Sequence, residues 1–400
     1  MSYLVLARKW RPQTFEEMTG QEHVVRTLSN AIKLNRVVHA YLFCGPRGVG
    51  KTTAARLLAK ALNCEKGPVA QPCGACLACT EIAAGTAVDV MEIDGASNNG
   101  VENVRELRES AKYLPQRDRH KIYIIDEVHM LSGAAFNALL KTLEEPPGHV
   151  KFIFATTEPH KLPDTIVSRC QRHNFRRIPA ARIVERLKQI CAAEKVRISD
   201  RSLSVIARQS DGGMRDALSL VDQILSACGS EPSDESVAEA LGVIDRNLIQ
   251  GFADGLIRRD SGKLLALVEE VYNRGSDLKR LSEEIALQLR HLFVTKTTGD
   301  APAELSDSEQ QALRALSQES EAAQLARLFD AMHECLSEIA RAEQPRLFLE
   351  MALLKAVQLA PVASIPELIA KVEQLGSLPS SKIRSLGAPG GRSEPTNFRA

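Results

Sequence analysis

Gly45-Pro46-Arg47-Gly48-Val49-Gly50-Lys51-Thr52 stands between an apolar run, Ala40-Tyr41-Leu42-Phe43-Cys44, and a run rich in Ala, Leu and Lys from Thr53 to Asn63. The first run has the length and residue types of a buried strand, and the second reads as a helix. Strand, glycine loop and helix in that order form a phosphate cradle. The glycines let the backbone curl until successive N–H groups point at a polyphosphate, and the helix N-terminus adds partial positive charge. Lys51 is expected to reach the β- and γ-phosphates and the Thr52 hydroxyl to ligate Mg²⁺. Gly45 through Thr52, with Thr53 behind them, therefore read as the site of a metal–nucleotide complex.

Downstream, Lys121-Ile122-Tyr123-Ile124-Ile125-Asp126-Glu127 is an apolar strand ending in two carboxylates. Ligands of a parallel sheet collect at the carboxyl ends of its strands, which places Asp126 beside the Mg²⁺ held by Thr52 and makes Glu127 the general base for an attacking water. Other apolar runs at Val88–Ile93, Val150–Thr157 and His173–Ile178 read as strands, and helical runs alternate with them. Five strands counted from Tyr41 give a doubly wound parallel α/β domain up to about residue 178. Ser132 opens a helix with Phe136, Leu139, Leu140 and Leu143 on one face, and Pro146-Pro147 stop it. Upstream, Thr19-Gly20-Gln21-Glu22 fits a capping box. Trp10, the only tryptophan, lies among Arg8, Lys9 and Arg11, as an N-terminal arm or as an adenine-side contact.

Cys64 is followed by Cys73, Cys76 and Cys79, three of them at two-residue gaps. That spacing suits a closed tetrahedral Zn²⁺ site, structural because four protein ligands leave no open position. The other five cysteines are scattered among apolar or helical runs and read as buried, inert thiols. The 400 residues are 44% hydrophobic, enough for a sizeable core, and 51 Lys and Arg against 50 Asp and Glu give a net charge of +1. Any nucleic-acid surface must therefore be local. There is no run of membrane-span length and no apolar segment behind Met1, so a cytoplasmic protein without membrane contact is expected.

Beyond Pro179 the strands stop. Helical runs from Ala180 to Leu241 form a small bundle, in which Asp211-Gly212-Gly213-Met214-Arg215-Asp216 puts Arg215 in the first turn of a helix, against the dipole. A salt bridge to Asp211 or Asp216 is one reason for it to be there. Residues 244–365 are helical again, with Leu278, Leu281, Ile285 and Leu289 on one face. After about Leu375 the composition turns to Ser, Gly, Pro and Arg, and residues 366–400 read as a disordered tail or linker.

Taken together, Gly45–Thr52, the four-cysteine cluster, Asp126-Glu127-Val128-His129, the Asn137–Pro147 run, Ala155-Thr156-Thr157-Glu158 and Ser168-Arg169-Cys170 resemble the AAA+ ATPases of sliding-clamp loaders, more narrowly the bacterial DNA polymerase III gamma/tau family. The motifs span the first half in the family's order; the second half matches more loosely. The resemblance implies an AAA+ domain with a zinc insertion (1–178), a helical lid (179–243) and a helical collar for oligomerisation (244–365). It implies ATP, Mg²⁺ and Zn²⁺ as cofactors, and a hydrolase that works in DNA replication, in a hetero-oligomer with other clamp-loader subunits, loading a sliding clamp onto primer–template DNA. Thr157 becomes a sensor of the γ-phosphate, Arg215 a second sensor in the lid, and Arg169 an arginine finger reaching a neighbouring subunit, in place of an ordinary cation at a helix end.

DNA contact is read from two positions. Arg105 lies in the first turns of the helix that begins near Val101, and Lys141 shares a helix face with Asn137, so both can meet a phosphate backbone without reading bases. Pairing with Glu102 or Glu145 is the alternative. Two other functions compete, a hexameric branch-migration helicase, which has no need of the cysteine cluster, and a non-hydrolysing scaffold, against which the intact Lys51, Thr52, Asp126 and Glu127 argue.

Overall fold

In the computed structural model, which describes residues 4–302, 305 and 307–358, the chain begins with α1 (Leu6–Lys9), α2 (Glu22–Lys33), β1 (Ala40–Cys44), α3 (Lys51–Asn63) and α4 (Leu77–Ala84). β2 (Val90–Asp94), α5 (Val101–Ala111), β3 (Lys121–Asp126), α6 (Gly133–Glu144), β4 (Val150–Thr156), α7 (Asp164–Val167) and β5 (Gln171–Asn174) follow. All strand pairs are parallel and the order is β2-β3-β4-β1-β5. β1, β3 and β4 are apolar almost throughout because helices cover both faces. Along β1, Tyr41 and Phe43 enter a core with Leu57 and Leu58 of α3, and Leu42 enters one with Leu139 of α6, as a two-residue period requires. On the second face Phe152 stacks on Tyr123 at 5.4 Å and on Phe154 at 5.8 Å.

Three sequence expectations are corrected. The last strand is Gln171–Asn174, not His173–Ile178: it pairs with β1 from Tyr41↔Gln171 to Cys44↔Asn174, and Phe175 and Ile178 lie beyond it as buried anchors. Only His173 of this edge strand is buried, so it carries no apolar signature. Val88 precedes β2, and between them Asp89 is buried with a carboxylate that accepts the backbone N–H groups of Gln116, Arg117 and Asp118 at 2.7, 2.8 and 2.9 Å. The capping box at Thr19 is absent. Gln21 is the N-cap of α2, without a side-chain cap, and its buried amide instead holds both main-chain groups of Arg176, donating to the carbonyl at 2.7 Å and accepting from the N–H at 3.1 Å. By contrast Ser132 caps α6 as its sequence predicts, accepting from Ala135 N–H at 3.2 Å.

α8 (Ala180–Glu194), α9 (Asp200–Gln209), α10 (Met214–Cys228) and α11 (Asp234–Ala240) pack around Ile183, Leu187, Leu203, Ile206, Val221 and Ile224. The N-terminal arm docks on this bundle. Leu6 N–H donates to Asp222 at 2.7 Å and Trp10 Nε1–H to Glu194 at 2.7 Å. These elements form one compact unit ending at Val243, and a second begins at Ile244.

The second unit contains α12 (Arg246–Arg258), α13 (Ser261–Asn273), α14 (Leu278–Thr298), α15 (Asp307–Gln318), α16 (Ala322–Ile339) and α17 (Pro345–Gln358). Leu278, Leu281, Ile285 and Leu289 of α14 are buried in its core. Positions 359–365 of the expected collar and the whole expected tail, 366–400, lie outside the described residues. Among the described residues no helix is long and apolar enough to cross a membrane.

Candidate functional site

The loop after β1 is shaped by glycines that no other residue could replace cheaply. Gly48 has φ +74°, and a Cβ there would collide with the Asp216 carboxylate and Gly213 of the bundle. Gly45 has φ +154°, and a Cβ would stand 2.5 Å from the Phe175 carbonyl oxygen. The loop is therefore packed against Phe175 on one side and the bundle on the other. Lys51 is 6% exposed and its ammonium donates to the carbonyls of Gly45 at 2.8 Å and Pro46 at 2.7 Å. Burial pushes its pKa down, while Glu127 and Asp126 pull the other way. A desolvated cation at a helix N-terminus is a strong attractor for phosphate.

β4 separates β1 from β3, and the ends of these strands carry the rest of the site. The Thr52 hydroxyl donates to Asp126 Oδ2 at 2.7 Å, so the two oxygens already converge as a hard divalent cation requires. Glu127 sits in the left-handed region, φ 45° and ψ 47°, unusual for a non-glycine residue and typical of functional sites. Its Oε2 accepts from the Thr157 hydroxyl at 2.9 Å and the Thr157 N–H at 3.2 Å. The sequence-predicted base and sensor are thus in direct contact.

Lys51, Thr52, Asp126 and Glu127 line a cavity of about 380 Å³ that also includes Arg47, Thr53 and Arg215, and Thr157 stands behind Glu127. Its lining also carries the apolar side chains Met18, Ile178, Ile190, Met214 and Leu218, which suit a base, while the loop suits phosphates. Trp10 and Arg11 line it too, so the N-terminal segment is both a docked arm and part of the pocket. Burial lowers the Arg11 pKa, with Arg56 and Arg215 adding to it and Glu92 opposing. Arg215 N–H donates to the Gly48 carbonyl at 3.3 Å, joining the bundle to the phosphate loop. Its rival partner Asp211 is engaged by Arg177 at 2.8 Å. The bundle wall, Ile190, Met214 and Leu218, escaped the sequence reading because apolar helix residues look alike whether they face a core or a ligand.

Arg169 follows α7 and is not among the residues lining this cavity. Its guanidinium donates to Glu144 at 2.7 Å and to the Thr165 carbonyl at 2.9 Å. Arg105 pairs with Glu102 at 2.5 Å, the alternative weighed for it, and Lys141 is exposed on α6 with Asn137.

The sulfurs of Cys64, Cys73, Cys76 and Cys79 all lie within 4.8 Å of one another. A tetrahedral site with Zn–S bonds of about 2.3 Å needs sulfurs roughly 3.8 Å apart, so the cluster fits zinc with little rearrangement. Cys73 N–H points at Cys64 Sγ (3.4 Å) and Cys76 N–H at Cys73 Sγ (3.3 Å). Backbone N–H groups of Ala75 and Cys76 pull the Cys73 thiol down to about 6, into the thiolate range, whereas burial pushes Cys79 up. Away from the cluster, burial raises Cys44, Cys170, Cys191 and Cys335, as expected of inert thiols.

Comparison with known proteins covers the described chain almost end to end. Residues 20–179 match the family described as DNA polymerase III, delta subunit. Residues 182–230 match the DNA polymerase III clamp loader subunit, ATPase lid domain. Residues 233–375 match DNA polymerase III subunits gamma and tau domain III. The chain is 44% identical over 381 residues to the DNA polymerase III subunit tau of Bacillus subtilis, covering 94% of this chain and 68% of that one. It is 41% identical over 367 residues to the tau subunit of Escherichia coli, covering 92% of this chain and spanning 57% of that relative's length. Among solved structures, the Thermotoga maritima RuvB Holliday junction branch migration motor aligns at 21% identity with a TM-score of 0.45, over 62% of this chain and 79% of that one.

Proposed function

This chain belongs to the DNA polymerase III gamma/tau family, and on that premise we propose that it is an ATPase subunit of a clamp loader, using ATP binding and hydrolysis to place a sliding clamp on primer–template DNA. The observation that carries the reading is the convergence of Lys51, Thr52, Asp126 and Glu127 in one cavity lined also by the bundle, with Thr157 bonded to Glu127. Lys51 and the loop N–H groups hold the β- and γ-phosphates. Thr52 and Asp126 would hold Mg²⁺, which neutralises phosphate charge when bound. Glu127 takes a proton from the attacking water, and Thr157 orients that carboxylate. Arg215, on a helix tied to Gly48, senses the γ-phosphate and couples nucleotide to the lid, residues 179–243.

Arg169, which lines no part of its own cavity, acts on the nucleotide of a neighbouring subunit, so the working form is a hetero-oligomer with several copies of this chain and other clamp-loader subunits, joined through the collar, 244–365. The cysteine cluster holds a structural Zn²⁺ within the core domain, 1–178, and four reduced ligands suit the cytoplasm. Arg105, once released from Glu102, and Lys141 meet the DNA backbone without sequence preference.

The test is ATP turnover by the assembled complex with clamp and primed DNA. Lys51→Ala should abolish nucleotide binding, and Glu127→Gln should bind nucleotide without turning it over. Equal nucleotide affinity in wild type and Lys51→Ala would remove the assignment, and a wild-type complex without turnover would leave a scaffold.

A further inference from the structure

His129 lies in the short turn Val128–Met130 that leaves β3, anchored by Val128, which is fully buried. The imidazole is 6% exposed and both of its nitrogens face polar side chains. Nδ1 is 3.1 Å from Thr156 Oγ1 and 3.4 Å from Glu127 Oε2, and Nε2 is 3.0 Å from Glu158 Oε2. Three other histidines are different. His39 Nε2, His120 Nδ1 and His173 Nε2 have no hydrogen-bond partner among the described residues, and burial lowers the pKa of all three rings. Each of those rings leaves one nitrogen without a partner, whereas both nitrogens of His129 have one and the ring lies between two carboxylates.

The oxygen it faces is the one already held by Thr157. Glu127 Oε2 therefore accepts from Thr157 N–H and Thr157 O–H and packs against the edge of the His129 ring at 3.4 Å, while the far side of the ring is fixed by Glu158, itself paired with Lys161 at 2.8 Å. Thr156, wholly buried, closes the arrangement: its hydroxyl meets His129 Nδ1 and also accepts Glu158 N–H at 3.0 Å. A carboxylate 34% exposed at a strained backbone position has several rotamers open to it, and packing one oxygen against a buried ring selects among them.

Resting on the reading of Glu127 as general base, we propose that His129 is a positioning residue for hydrolysis, a strut between Glu127 and Glu158 that holds the base in the orientation from which it takes the water's proton. Loss of the strut leaves nucleotide contacts intact, since His129 is not among the residues lining the cavity.

The experiment measures single-turnover ATP hydrolysis and nucleotide affinity of the assembled complex carrying His129→Ala, His129→Asn or Glu158→Gln, each also in a Glu127→Gln background. General-base catalysis contributes about 10² to 10⁴ in rate, so His129→Ala should lose roughly tenfold or more while ATP affinity stays within about twofold. His129→Asn, which keeps an amide near the Nδ1 position, should recover part of that loss, and Glu158→Gln should lose less than His129→Ala. In the Glu127→Gln background none of the changes should lower the residual rate further, because there is no base left to position. Unaltered turnover in all three variants, additive losses in that background, or affinity falling in step with rate would each overturn the proposal. Full turnover by Glu127→Gln itself would instead remove the base assignment on which the proposal stands.

Discussion

Lys51 shows how much one residue type can reveal. Its place in the loop was legible because a fixed spacing of glycines, lysine and threonine has only one common use, and Asp126 and Glu127 were legible because paired carboxylates at the end of an apolar strand have few others. The same residue makes a pH prediction. Burial lowers the Lys51 pKa in the folded protein, and phosphate binding favours the charged form. Nucleotide affinity should therefore be level near neutrality and fall as pH rises through that lowered value, before the ordinary lysine range of about 10.4. A fluorescent-nucleotide titration from neutral pH to about pH 10 checks it; affinity unchanged throughout would mean that Lys51 does not contact the phosphates. Gln21 was not legible. Its amide serves Arg176, 155 positions along the chain, and a local pattern of Thr, Gln and Glu suggested a cap instead.

Elements were legible where burial on both faces gave a continuous apolar run, as in β1, β3 and β4. They were blurred where the pairing partner, not the side chains, defines the strand, as in β5 with its exposed Gln171, Arg172 and Asn174. Asp89 is a hidden organiser of this kind. Its burial alone would raise the carboxylate pKa, but three N–H donors from residues 116–118 hold it below the ordinary value, and they set the entry of the chain into β3. Asp89→Asn should cost roughly 1–3 kcal/mol at neutral pH, because at least one buried donor loses its acceptor. A depressed folded pKa gives stability that is present above the unfolded value and lost as pH falls, so the deficit should shrink below about pH 4. Urea unfolding followed by Trp10 fluorescence, the only tryptophan, reads both effects. The cysteine-bearing segment makes a separate prediction: Cys76→Ser should lose stoichiometric zinc and open residues 64–79 to proteolysis, since structural zinc contributes about 10 to 16 kcal/mol in small sites. Nucleotide affinity should stay within twofold or so, because no cysteine of the cluster lines the cavity.

At the scale of the whole molecule, Lys51 and Arg169 make different demands on one chain. Lys51 must act on the nucleotide that its own chain holds, in a cavity completed by its own bundle. Arg169 is held on the outside by Glu144 and the Thr165 carbonyl, with its side chain 34% exposed, and belongs to no part of that cavity. An arginine supplied to a phosphoryl-transfer site can be worth about 10³ to 10⁵ in rate, so a chain that keeps this residue away from its own site makes its hydrolysis depend on assembly. Arg169→Ala should then leave nucleotide binding by the same chain nearly unchanged while turnover of the complex collapses. Mixing separates this from misfolding. Combined with Lys51→Ala chains, which keep Arg169 but cannot bind nucleotide, Arg169→Ala chains should regain turnover wherever a Lys51→Ala neighbour presents its arginine. The recovered rate should follow the fraction of such neighbours as the mixing ratio is varied. Mixed assemblies, verified by mass, that turn over no faster than either variant alone would show that Arg169 works only as the partner of Glu144.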